Sequence, residues 1–347
     1  MTNLTNYHSH CLYCDGRANM EDFIRFAISE GFTSYGISSH APLPFSTAWT
    51  MEWDRMDDYL SEFSRLKKKY ADKIELAIGL EIDYLNEESN PSLPCFQKLS
   101  LDYRIGSVHM LYSPEGKIVD IDTPADLFRQ LVDKHFDGDL DSVVHLYYKN
   151  LLRMVELGGF DIVGHADKMH YNASCYRPGL LDEPWYDALV RKYFTAIAEY
   201  GYIVEINTKS YHDLGTFYPN KRYFSFLKEL GIRVQVNSDA HYPERINNGR
   251  AEALAALKKA GFTSVAEWHN GKWEEREIER QKAFAEGEEA GIETGKTQGK
   301  NDLLKSQVKK KLEKKYSKEQ IADMLEEDIA TIETCLLYTS DAADDKA

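Results

Sequence analysis

Long apolar runs are missing from this 347-residue chain. No stretch is long enough to span a bilayer, and the N-terminus lacks the basic and apolar regions of a signal peptide, so a cytoplasmic protein with no membrane partner is expected. Positive charge is also short: 42 Lys and Arg stand against 57 Asp and Glu, a formal net charge of -15. That balance makes nucleic acid or an anionic lipid surface an unlikely main partner. Cysteine is scarce and odd in number, at Cys11, Cys14, Cys95, Cys175 and Cys335, which argues against a disulfide framework. Cys11 and Cys14 have the spacing of a redox pair or half a zinc site. No second Cys-x-x-Cys completes a ribbon and no helix start follows at thioredoxin spacing, so they read as small residues of a tight loop. No Gly-x-Gly-x-x-Gly follows the first strand, which removes support for a dinucleotide site.

What is present suffices for a large core, with 43% hydrophobic residues. A short strand from Asn3 leads to Tyr7-His8-Ser9-His10. Helical spacing runs from Met20 to Glu30 and stops at Gly31. A strand Tyr35–Ser39 ends in His40, and Glu52–Tyr70 is an amphipathic helix. Ile74–Leu85 reads as one long strand carrying Gly79 and Glu81, and Tyr103–Val108 as a strand ending in His109. A more helical insertion spans Pro124 to about Glu156. Asp161–Gly164 leads to His165, Trp185–Tyr200 is a helix, and Ile203–Asn207 a strand. Helix Lys221–Leu230 then precedes strand Arg233–Asn237, Ser238-Asp239-Ala240-His241 and a last helix, Arg245–Ala260. Seven strand–helix alternations imply a parallel sheet covered by helices. Chemistry-bearing residues at the ends of at least five strands favour closure into a barrel, which brings all its strand ends to one mouth.

After Trp273 the composition changes. Glu274–Glu289 is mostly charged, and Gly287, Gly291, Gly295 and Gly299 recur every fourth residue. A Lys-rich run, Lys305–Lys318, precedes helical spacing over Glu319–Cys335, where Ser317–Ala322 weakly resembles the start of a helix-turn-helix. The division expected is a globular domain over 1–273 and a charged, partly helical or disordered tail over 274–347.

Two histidines two apart lie on the same side of an extended chain, so His8 and His10 can grip one cation together. Further strand ends carry His40, Glu81, His109, His165, Asp239 and His241, and the loop after the first carries Asp15. Nitrogen and oxygen donors in this mixture suit zinc, manganese or iron. Nine ligands exceed what one ion takes, so two or three divalent ions sharing a carboxylate fit the count better.

These pieces together resemble the polymerase-and-histidinol-phosphatase (PHP) superfamily, and within it the histidinol-phosphatase branch. The matching segments are His8-Ser9-His10, Cys14-Asp15-Gly16-Arg17, Ser38–Pro42, Gly79–Tyr84, Gly106–His109, Gly164–Asp167 and Ser238–His241, in order, over roughly Asn3 to Gly261. The resemblance implies a distorted (β/α)7 TIM-like barrel with a trinuclear metal centre. His8, His10, Glu81 and Asp239 would hold the first ion. Glu81 would bridge to a second with His109 and His165, and Asp15, His40 and His241 would hold the third. Many relatives have His where this chain has Asp15.

The activity implied is hydrolysis of a small phosphate monoester, L-histidinol phosphate in histidine biosynthesis, by a metal-held hydroxide. No Asp-x-Asp or Cys-x5-Arg motif offers a phosphoenzyme nucleophile. Arg17 and Lys168 are candidate phosphate clamps. Asp15, His40 and Asp167 are candidate proton donors to the leaving group. Asp83, Glu205 and Asn207 are candidate substrate contacts by position. His135, His145, His170, His212 and His269 fall outside the expected mouth. The rival readings are another PHP-type phosphatase or a nuclease, an amidohydrolase, and a binding module with a structural centre. No basic cluster supports the nuclease, and Glu81 with the Asp239-x-His241 pair counts against the amidohydrolase.

Overall fold

The computed structural model describes residues 3–278, together with Ser317 and Gln320. The glycine repeat, the Lys-rich run and the helical spacing after Glu319 otherwise lie outside the described residues. The described stretch 3–278 falls in a unit that ends at Glu279.

The fold is mixed α/β. Its first sheet has three parallel strands in sequence order, β1 (Thr5–Asn6), β2 (Ser34–Ile37) and β3 (Glu75–Ile78). The second holds β4 (Glu81–Asp83), β5 (Ile105–Ser107), β8 (Ile162–Val163), β9 (Ile203–Asn207) and β10 (Val234–Asn237), side by side in that order and all parallel. Between β5 and β8 the chain makes a hairpin of β6 (Met110–Tyr112) and β7 (Ile118–Asp120), and it closes with a hairpin of β11 (Ser264–His269) and β12 (Lys272–Glu277). Two isolated parallel bridges, Ser9 to Ala240 and His40 to Glu81, link residues of the two sheets.

The parallel strands are buried on both faces, β9 at every residue, because helices lie against the sheets. Helix Leu140–Leu157 shows how the sequence specifies one of them. The Asp139 carboxylate accepts the Ser142 N–H at 3.0 Å, capping the start. Val143, Val144, Tyr147, Leu151, Met154 and Val155 recur at helical spacing and are buried. Gly158, at φ 68°, ends it.

The expected strand Ile74–Leu85 is two strands in two sheets. A Cβ on Gly79 would lie 2.5 Å from the ring of Tyr103, so only glycine admits that ring here. β3 stops before this point with β2 as its neighbour, and β4 restarts beyond it beside β5. The hairpin β6–β7 and helix Met169–Tyr176 are further departures, in segments without clean periodicity.

The expected domain boundary at 273 falls inside β12. Trp273 packs edge-on against Tyr7, Tyr103 and Trp268 at centroid distances of 5.0, 5.7 and 4.9 Å. The charged residues after it pair locally, with Arg233 reaching Glu275 at 2.8 Å. Glu274–Glu277 is therefore an exposed strand edge rather than the start of the tail. Among the described residues no helix is long and apolar enough to cross a membrane.

Candidate metal centre

The C-terminal ends of the parallel strands converge on the carboxylate of Glu81, which is almost fully buried. Its Oε2 lies 3.1 Å from His8 Nε2, 3.6 Å from His10 Nε2 and 2.9 Å from His40 Nδ1. Its Oε1 lies 2.8 Å from His165 Nε2 and 3.5 Å from His109 Nε2. Asp239 Oδ1 is 3.0 Å from His10 Nε2 and 3.9 Å from His8 Nε2. Asp15 lies 3.3 Å from His241 and 3.9 Å from His40. All nine residues expected to gather do gather. The donor atoms of eight of them, all but His165, fall into overlapping groups compact enough for an ion each: His8, His10 and Asp239; His40, Glu81 and His109; and His10, Asp15, His40 and His241.

The ring orientations suit cation binding. His8 donates from Nδ1 to Glu205 Oε1 at 2.7 Å, and His109 donates from Nδ1 to Asp83 Oδ1 at 2.6 Å. Each bond fixes the tautomer that turns the Nε2 lone pair inward, the usual support of a metal-binding imidazole. His8 Nε2, His10 Nε2, His40 Nδ1, Asp15 Oδ1 and Glu81 Oε2 are buried without a hydrogen-bond partner. Five such atoms in one cluster would be costly unless cations satisfy them. The donor set thus fits divalent metal ions.

Electrostatics agree. Burial works against ionised Glu81, but His8, His40 and His109 outweigh it and hold the carboxyl well below its ordinary range. Burial, reinforced by His40 and His241, keeps His10 neutral, and burial with Lys168 does the same for His165. His8 and His109 go the other way. Burial disfavours their charged forms, yet Glu205 and Glu81 raise His8, and Asp83 with Glu81 raises His109 to about 9. Backbone strain concentrates here too, since His165, Asp167 and Asp239 have φ of 21°, 60° and 48° without being glycine.

Beside the cluster opens a cavity of about 680 Å³ whose wall includes Asp15, His40, His109, His241, Trp49 and Lys168. Trp49 stands edge-on to both His40 and His109, at 4.7 and 5.5 Å. Asp120, Asp122 and Asp213 also line the cavity.

Other expected contacts lie elsewhere. Glu205 and Asn207 are fully buried behind the ligands, Asn207 donating to Glu205 at 3.0 Å, and Asp83 is engaged by His109. None of the three lines the cavity, so the expected substrate contacts instead position the ligands. Asp167 is sealed in the core, where Tyr148 and Tyr186 donate to it, so the expected proton donor does not reach the mouth. Lys168 lines the cavity but is paired with Asp122 at 2.6 Å. Arg17 is exposed in an adjoining cavity. Cys14 is more than loop filler, its Sγ being 3.6 Å from His10 Nδ1. His170 is structural, bonded to the Asp167 carbonyl at 2.8 Å and to Thr216 at 2.9 Å. Exposed His212 stands edge-on to Tyr211.

The PHP domain family matches residues 6–209, more than half of the chain. The chain belongs to the PHP domain family. A probable histidinol-phosphatase of Schizosaccharomyces pombe is 27% identical over 278 residues, covering 74% of this chain and 87% of the relative. The histidinol-phosphatase of Bacillus subtilis is 25% identical over 251 residues, covering 67% of this chain and 92% of its own. In fold, the chain is similar to a histidinol phosphate phosphatase of Lactococcus lactis solved with zinc, L-histidinol and phosphate. The TM-score is 0.61 and the identity 20%, over 79% of this chain and 100% of that one.

The raised His109 value makes PHP-site metal affinity depend on pH. A protonated imidazole cannot ligate, so each ion that takes His109 must first displace a proton. Affinity is expected to rise by about tenfold per pH unit for each proton displaced, and to level off above pH 9. The stability sign is opposite for the metal-free protein. His109 is raised above its unfolded value, so its contribution is complete below about pH 6.5 and fades as pH climbs through about 9. Chelator competition with zinc from pH 6 to 10 checks this, and a flat profile would contradict it.

Proposed function

We propose that this PHP protein is a metal-dependent histidinol-phosphatase that converts L-histidinol phosphate to L-histidinol and phosphate. The observation that carries the reading is Glu81, whose two oxygens face five imidazoles within 3.6 Å. The names of the relatives supply the substrate. The fit of the L. lactis enzyme, solved with zinc, supports zinc among the candidate metals, with manganese and iron as alternatives.

Bound divalent ions neutralise phosphate oxygens and make water acidic enough to ionise near neutrality. We assign His8, His10, Glu81 and Asp239 to one ion, Glu81, His109 and His165 to a second, and Asp15, His40 and His241 to a third. Asp83 and Glu205 hold the rings of His109 and His8 in register. Of the candidate proton donors, Asp15 and His40 reach the cavity. Burial disfavours ionised Asp15, but His241, His40 and His10 outweigh it and keep it a carboxylate. Asp15 is therefore a ligand rather than the proton donor to the leaving oxygen. Asp120, Asp122 and Asp213 give the cavity carboxylates that suit an ammonium and an imidazole on the substrate.

The bridges Ser9–Ala240 and His40–Glu81 support a (β/α)7 barrel, with β3 and β4 counted as one interrupted strand. The hairpin β11–β12 supports an end to the catalytic domain near residue 279, followed by the charged tail. A cytoplasmic location is part of the same reading.

The test is phosphate release from L-histidinol phosphate. Activity should vanish with chelator and return with zinc, manganese or iron. Absence of turnover alongside efficient hydrolysis of another phosphoester, such as phosphotyrosine, would overturn the substrate.

A further inference from the structure

Next to Asp239 and His241 lies a second, smaller cavity of about 220 Å³, lined by Arg17, Lys209, Tyr242 and Arg245 among others. Lys209 and Arg245 also line the main cavity, so these two cations stand where the two spaces meet. Lys209 follows β9, and its backbone N–H donates to the Asn207 side chain at 3.0 Å. Its ammonium is 3.2 Å from each carboxylate oxygen of Asp239, with the side chain about a third exposed. An ammonium has three donors. Two directed at Asp239 leave a third for a ligand in the cavity.

The other cations near the mouth differ in availability. Lys168 is nearly buried and closely paired with Asp122 at 2.6 Å, so turning it toward a ligand would break that pair. Arg17 is exposed, and its backbone N–H donates to the His241 carbonyl at 2.8 Å, which fixes its loop beside the ligands. Arg245 faces Asp213 at 3.6 Å, with both side chains more than half exposed, a pair easily exchanged.

We propose that Lys209, flanked by Arg17 and Arg245, forms the anion subsite that receives the phosphoryl oxygens of the substrate and retains the product phosphate. This deepens the phosphatase reading and rests on it. It moves the lysine clamp from Lys168 to Lys209, and it gives phosphate a set of cations distinct from the carboxylates Asp120 and Asp122 that also line the main cavity. A phosphate dianion takes charge-assisted hydrogen bonds from such a set, and losing one costs about tenfold or more in affinity.

The test uses the full-length, zinc-loaded chain with Lys209→Gln, Lys209→Arg and Lys168→Gln. Three quantities are read: metal content, KM and kcat for L-histidinol phosphate, and the inhibition constant of inorganic phosphate. Lys209→Gln should raise both KM and the phosphate inhibition constant about tenfold or more while keeping its metal. Lys209→Arg should restore most of the phosphate affinity, and Lys168→Gln should change it less than Lys209→Gln does. Unchanged phosphate inhibition in Lys209→Gln overturns the subsite, and so does a loss of metal that accounts for the whole effect. The two readings separate with p-nitrophenyl phosphate as substrate. If L-histidinol phosphate is not hydrolysed but phosphate still inhibits p-nitrophenyl phosphate turnover in a Lys209-dependent way, the substrate assignment falls and the subsite stands.

Discussion

Replacing Glu81 with Gln is expected to lower kcat/KM for L-histidinol phosphate by about a thousandfold or more, because metal ions supply several kcal/mol of charge stabilisation and each decade is about 1.36 kcal/mol. Glu81 is the residue that two of the proposed ion positions share, Oε1 turned to His165 and His109 and Oε2 to His8, His10 and His40. An amide keeps the shape but offers one weak oxygen donor in place of two charged ones. Its NH2 group would face imidazole nitrogens that have to point lone pairs at a cation. Metal analysis should therefore show the loss of at least one ion per chain along with the activity. A second readout separates this from general damage. Glu81 is one of the two carboxylates that raise His109 to about 9, so in Glu81→Gln the pH at which metal affinity levels off should move down. Full metal content and wild-type turnover in this variant would end the case for a bridging carboxylate.

The gathering of the nine donor residues was legible because much of the information is local. His8-Ser9-His10 and Asp239-Ala240-His241 carry period-two spacing at the ends of extended segments, and parallel strands place such ends on one side of a sheet. What a strand residue does at depth was not legible. Glu205 and Asn207 point to the same side of β9, which position alone makes candidates for the mouth. Whether such a residue meets substrate or backs a ligand depends on partners 197 residues away, as between Glu205 and His8. Asp83 shares a side with Glu81 on β4 and is taken up by His109 for the same reason. Lys209, Trp49 and Asp122 escaped notice because they lie outside the strands and no periodicity marks them. The charged stretch after Trp273 misled in another way. Its composition is that of a tail, but pairing β12 with β11 lets Trp273 pack inward while the glutamates stay at the surface.

The second large effect is expected at Glu205, a buried residue that does not line the cavity. Its Oε1 accepts from His8 Nδ1 at 2.7 Å and Asn237 Nδ2 at 3.0 Å, and its Oε2 accepts from the His165 backbone N–H at 2.7 Å and Asn207 Nδ2 at 3.0 Å. All four donors are buried. Burial opposes the ionised form, but His8 and His165 outweigh it and lower the carboxyl below its ordinary value. Glu205→Gln keeps the volume and replaces one acceptor with an NH2 group. Whichever way the amide turns, that group confronts two donors, one of them either the His8 ring or the His165 backbone. Outer partners of metal-binding histidines are worth about ten- to a hundredfold in metal affinity or activity, and that is the loss expected here. Glu205→Ala leaves the His8 ring and His165 backbone donors unpaired, while Asn237 keeps Gln235 and Asn207 keeps Asp239, and it should destabilise the metal-free fold by about 3–5 kcal/mol. Denaturant unfolding with chelator present reads the fold, and zinc titration of the folded protein reads the site. The depressed carboxyl sets the pH sign: the wild-type contribution is present above the unfolded value near pH 4.3 and is lost as pH falls through the lower folded one. The stability gap between wild type and Glu205→Ala should therefore narrow in acid. A gap that stayed constant there would mean that packing at this position, rather than the buried charge, does the stabilising.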